Sequence, residues 1–142
     1  RDKLRRPDAR PARVAARPRA QRGMPHKTAM DLINEARQRI REVSPREAAD
    51  MRKRPDVLFL DVREPNEWNL GHVPGAMHIP RGTLESGVEP RIPRDATVVV
   101  YCAAGNRSAL AADTMQQLGY SNVVSMADGW RGWVQNGGEV EG

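Results

Sequence analysis

An α/β domain, with a parallel sheet covered by helices on both faces, is the fold the sequence predicts. Three observations lead there. Short apolar runs rich in β-branched residues recur at 57–62, 97–101 and 122–126. Segments with helical spacing or helix-cap signals stand between them, and strand–helix alternation of this kind builds parallel sheets. The chain has 142 residues, enough for one domain with a real core.

Residues 1–25 stand apart. They carry nine Lys/Arg against Asp2 and Asp8, with Pro7, Pro11, Pro18 and Pro25 breaking any helix. Too little apolar surface exists here to offset ordering entropy, so a disordered basic leader is expected; an over-extended start ahead of Met24 is one reading of it and a tail for nucleic acid or an anionic surface the alternative. The formal net charge of +5 belongs to this leader. The remaining residues are close to neutral, which gives the domain no electrostatic footprint for nucleic acid.

Apolar residues at Ala29, Leu32, Ile33, Ala36 and Ile40 have helical spacing, and an amphipathic N-terminal helix is expected within 26–42. Ser44-Pro45-Arg46-Glu47 is a capping box with proline at the first helical position, opening a short helix to about Arg54. The run 57–62 reads as a strand, interrupted by Asp61 near its carboxyl end. A short helix starts at Glu64-Pro65 and ends at Gly71. A turn at 72–76, a short strand at 77–79, a helical turn at 83–86 and a loop at 87–94 follow. The run 97–101 is the central strand, and 109–118 is a helix with Ser108 as its N-cap and Gly119 closing it. The strand 122–126 leads through Asp128-Gly129 to a last helix at 130–136. Gly137-Gly138 ends the ordered chain, leaving 139–142 as a tail.

The chemistry gathers after the central strand. Cys102, the single cysteine, ends that strand, and a loop with Gly105 carries the chain to Arg107 and Ser108. Ligands of open parallel sheets bind at the carboxyl ends of strands, where both Cys102 and Asp61 fall. A helix N-terminus carries roughly half a positive charge and several undonated amides, which suits an anionic sulfur. Arg107 in the first helical turn opposes the helix dipole, a position that makes sense if an anion binds there. A lone cysteine needs no oxidising compartment, and no apolar run approaches the length of a membrane span or a signal peptide. A cytoplasmic protein is therefore expected. The three histidines and one cysteine show no metal-ligand spacing. Asp61 is read as a buried structural acid holding Arg63 or the loop, Arg63 as a partner for an acid such as Glu67, and His72 as a structural hydrogen-bonder. Trp68, Trp130 and Trp133 are read as packing residues.

Several short pieces, in order, now resemble one family. They are Leu60-Asp61-Val62-Arg63-Glu64, Glu67-Trp68, Gly71-His72-Val73-Pro74-Gly75-Ala76, His78-Ile79-Pro80, Cys102-Ala103-Ala104-Gly105-Asn106-Arg107-Ser108, Gly119-Tyr120 and Asp128-Gly129-Trp130. The chain resembles a single-domain rhodanese, a sulfurtransferase, over residues 43–138. The resemblance implies a three-layer α/β/α fold around a parallel sheet of about five strands. It implies that Cys102 takes sulfane sulfur from a small donor, thiosulfate or a similar compound, as a persulfide. The sulfur would then pass to cyanide, a thiol or a thiol protein, in ping-pong covalent catalysis. Ala103, Ala104, Gly105, Asn106, Arg107 and Ser108 would hold the persulfide, with Asp61 and Arg63 in support. No metal, organic cofactor, nucleic acid or membrane is implied. Thiosulfate-active members often carry a basic residue directly after the cysteine, where this chain has Ala103 and Ala104. Two alternatives remain: a phosphatase or arsenate reductase on the same fold, and a non-catalytic binding module. The first needs five residues between cysteine and arginine to enclose an oxyanion, and here four stand between Cys102 and Arg107.

Overall fold

The computed structural model describes residues 25–142. The leader expected at 1–25 therefore lies, except for Pro25, outside the described residues. Five strands, β1 (Arg41–Val43), β2 (Val57–Asp61), β3 (Met77–His78), β4 (Thr97–Tyr101) and β5 (Asn122–Met126), form one sheet in the order β1-β5-β4-β2-β3. Every pairing is parallel. Among the described residues the α-helices are α1 (Ala29–Arg39), α2 (Pro45–Arg52), α3 (Pro65–Asn69), α4 (Leu84–Val88), α5 (Asn106–Gln117) and α6 (Gly129–Gln135). Among the described residues no helix is long and apolar enough to cross a membrane.

Alternation along β4 sorts the core into two layers. Val98 and Val100 join Leu60, Leu84, Ala111 and Met115 beneath α4 and α5. Val99 and Tyr101 face the other way, with Phe59, Ala48 and Trp133 beneath α2 and α6. Both faces are thus covered, as continuous apolar strands require.

Local signals explain most element boundaries. The Ser44–Glu47 capping box forms in both directions, at 3.0 and 2.8 Å. A second box, Thr28 with Asp31, opens α1 at 3.1 and 2.9 Å. Three expectations are corrected. Residues 41–43 form an edge strand in register with β5, so the helix-to-domain boundary at 42/43 falls inside β1. Ser108 is not the N-cap of α5. Gly105 holds that position with φ of 106°, and the helix begins at Asn106. The left-handed backbone at Gly105, open to glycine at little cost, starts the helix three residues early.

The third correction concerns the C-terminus. The ordered chain does not end at Gly137-Gly138. Glu141 exchanges two backbone hydrogen bonds with His72, at 2.9 and 3.0 Å. Its carboxylate accepts from Gly75 N at 2.6 Å. Glu139 accepts from Trp133 Nε1 at 2.8 Å and pairs with Arg52.

Candidate active site

β4 ends at Tyr101, and its next residue, Cys102, is 1% exposed. The chain then turns back over the strand end into α5. The loop is shaped from outside by α6, whose first amides bond its carbonyls: Trp130 N to Cys102 O at 2.7 Å and Arg131 N to Ala103 O at 3.1 Å. With those carbonyls engaged, two loop amides reach the sulfur. Gly105 N and Ser108 N donate to Cys102 Sγ at 3.2 and 3.3 Å. The amides of Ala103, Ala104, Asn106 and Arg107 donate to no other group among the described residues. An anion extending outward from Sγ meets a ring of backbone donors at a helix N-terminus.

The close approach of α6 depends on Gly129. A β-carbon there would lie 2.3 Å from Cys102 O and 2.8 Å from the Ala103 carbonyl carbon, and φ is +49°. Gly129→Ala is therefore expected to cost about 2–3 kcal/mol and to displace the loop. Urea unfolding measures the cost. An unchanged midpoint would show that the loop is not held this way.

Behind the thiol lies a hydroxyl relay. The Cys102 thiol donates to Ser108 Oγ at 3.5 Å, and Ser125 Oγ donates to Ser108 Oγ at 2.8 Å. Both serines are fully buried. Ser125 was not among the expected site residues. Its signal in the sequence is a polar residue inside the apolar run of β5, like Asp61 in β2.

Asp61 and Arg63 sit at the carboxyl end of β2 and bond each other, at 0 and 3% side-chain exposure. Arg63 Nη2 donates to Asp61 Oδ2 at 2.7 Å and to Gly71 O at 2.8 Å. The guanidinium lies 4.8 Å from the Trp130 ring centre. Burial works against the Arg63 charge, but contact with Asp61 outweighs it and raises the pKa. The pair ties β2 to the turn at Gly71 and to α6; it bonds no loop atom of 102–108. Burial, with Asp61 adding to it, pushes the Tyr101 hydroxyl far above its usual value, so it stays protonated and accepts from Val73 N at 3.1 Å. His72 Nδ1 donates to Trp68 O at 3.0 Å, a structural role.

Arg63 pairs with an acid as expected, and that acid is Asp61; Glu67, the example offered, pairs with Arg107 instead. Two bonds join them, at 2.8 and 3.1 Å. The Arg107 hydrogen bond holds the Glu67 carboxyl well below its usual range, at about 2. Because this pKa is lowered on folding, the stability it contributes is full above about pH 4.5 and is lost as pH falls toward 2. Wild type and Glu67→Gln should accordingly differ in stability at pH 6 and converge near pH 2 in acid unfolding. A gap that persists there would contradict the assignment.

The profile of the rhodanese-like domain matches residues 44–136. This chain belongs to the rhodanese-like domain family. Several of its relatives are named thiosulfate sulfurtransferases or sulfurtransferases. The thiosulfate sulfurtransferase GlpE of Tolumonas auensis is 34% identical over 91 residues, 64% of this chain and 85% of that protein. The probable adenylyltransferase/sulfurtransferase MoeZ of Mycobacterium tuberculosis is 35% identical over 95 residues. That match takes in 66% of this chain and 24% of MoeZ, so the chain spans about a quarter of that relative's length. Among solved structures, a Rhodopseudomonas palustris protein of unknown function, described as a possible tyrosine phosphatase, superposes with a TM-score of 0.75 at 33% identity. The superposition covers 84% of this chain and 100% of that one.

Proposed function

We propose that this rhodanese-like domain transfers sulfane sulfur through a persulfide on Cys102. The observation that carries the reading is the pair of amides, Gly105 N and Ser108 N, aimed at a buried lone sulfur where a strand meets a helix. In the first half-reaction the Cys102 thiolate attacks the outer sulfur of a donor such as thiosulfate. A sulfur–sulfur bond forms to Cys102, the bond to the sulfonate sulfur breaks, and sulfite leaves with that electron pair. In the second, cyanide or a thiolate attacks the outer sulfur and Cys102 leaves as thiolate. The thiol proton goes to solvent before the first attack. Ser108 Oγ, which accepts from the thiol at rest, then donates to the sulfur anion, and Ser125 stays hydrogen-bonded behind it.

The undonated amides of Ala103, Ala104, Asn106 and Arg107 give the outer persulfide sulfur its partners. No resident metal or organic cofactor enters these steps. The phosphatase reading, which the description of the Rhodopseudomonas palustris protein also names, has two observations against it. Four residues separate Cys102 from Arg107, and the Arg107 guanidinium is turned onto Glu67 by two hydrogen bonds. The Cys102 sulfur, met by two loop amides, argues against the third reading, a binding module without chemistry.

Thiocyanate formation from thiosulfate and cyanide tests the proposal, with hydrolysis of p-nitrophenyl phosphate run in parallel. Thiocyanate formation with no phosphate release is the expected result. Phosphate release without thiocyanate would overturn it.

A further inference from the structure

α1 lies outside the residues matched by the family profile, yet it is fastened to the helix that carries the candidate site. Arg39 grips Asp113 of α5 with two bonds, at 2.9 and 2.8 Å. Gln116 of α5 donates to the Arg39 carbonyl at 2.8 Å. This fastening brings Arg37 to the loop. Its Nη2 donates to Asn106 Oδ1 at 2.9 Å and would lie 3.6 Å from a β-carbon at Gly105.

Two guanidiniums thus flank the loop, and they are not equivalent. Arg107 is bound by a carboxylate through two bonds, which cancels most of its charge locally. Arg37 spends Nη2 on a neutral amide oxygen and meets Glu42 only through Nε at 3.3 Å. Its Nη1 has no partner among the described residues, and the side chain keeps 29% of its exposure. With Ala103 and Ala104 following the cysteine, the loop itself supplies no second cation.

Resting on the sulfurtransferase reading above, we infer that Arg37 is a specificity-determining residue that draws a dianionic sulfur donor to the loop. A guanidinium on a helix outside the family's matched span stands in for the charge that the loop lacks. Glu42, its weak partner, sets how much of that charge the donor meets. Both donors needed for the test react with balanced charge. Thiosulfate, a dianion, delivers sulfur to the Cys102 thiolate and leaves as sulfite. Methanethiosulfonate, a monoanion, delivers the same sulfur and leaves as methanesulfinate.

Steady-state sulfur transfer to cyanide, with each donor, on the full chain tests this. Arg37→Ala is expected to raise KM for thiosulfate roughly tenfold, the scale of one charge-assisted contact, with kcat little changed. For methanethiosulfonate the rise is expected to be roughly threefold or less. Arg37→Lys should recover part of the loss. Glu42→Gln supplies the sign that a scaffolding role cannot produce. It should lower KM for thiosulfate, whereas loss of a merely structural contact would raise it. Equal effects of Arg37→Ala on both donors, or a raised KM in Glu42→Gln, would overturn the inference and leave the sulfurtransferase reading standing. Wild-type protein that takes sulfur from neither donor would overturn both.

Discussion

Cys102→Ser is expected to abolish sulfur uptake and thiocyanate formation while leaving the fold intact. The change keeps a small side chain at a position that is 1% exposed, and a hydroxyl can still accept from Gly105 N and Ser108 N. It removes the nucleophile on which both half-reactions depend, so turnover should fall to the uncatalysed level. The thermal midpoint should change by only a few degrees, because volume and hydrogen bonds are nearly conserved. Residual turnover near the wild-type rate would exclude a covalent route through Cys102.

The largest effect on stability is expected from Arg63→Ala. Arg63 neutralises a carboxylate with no exposure, and among the described residues no second cation bonds Asp61. Removing one partner of a buried ion pair leaves the other charge uncompensated, at a cost of about 3–5 kcal/mol. The variant also loses the bond to Gly71 O and the packing of the guanidinium on Trp130. Replacing both partners together, as Asp61→Asn with Arg63→Met, should cost clearly less than Arg63→Ala alone, because no charge is stranded. Urea unfolding of the three proteins gives the comparison. If Arg63→Ala cost under about 1 kcal/mol, the pair would not be the buried fastening described.

Much of the candidate site's geometry was legible from residues close together in sequence. The run 97–101, Cys102, Gly105 and the following helix form one continuous signal, and the sheet order brings it to the middle of the domain. What sequence misassigned was a competition between local rules. Serine is a strong N-cap, but Gly105 adopts a left-handed conformation upstream and takes the position, which turns Ser108 inward onto the sulfur.

Pairing across the chain was the least legible feature. Glu67 lies near Arg63 in sequence and 40 residues from Arg107, yet it pairs with Arg107, because Asp61 has already taken Arg63. Arg37 and Asn106 are 69 residues apart and meet only because α1 docks on α5. β1 has three residues, too few for a period, and its identity comes from pairing with β5. At the C-terminus, the glycine pair read as an ending is a turn. It carries Glu139 to Trp133 and Glu141 to His72.

The most direct measurement of the central claim is the intact mass of the protein after brief exposure to thiosulfate and removal of excess donor. A gain of one sulfur atom per chain is expected. The gain should be absent in Cys102→Ser and reversed by cyanide with release of thiocyanate. Unchanged mass in wild type, or the same gain in Cys102→Ser, would contradict that claim.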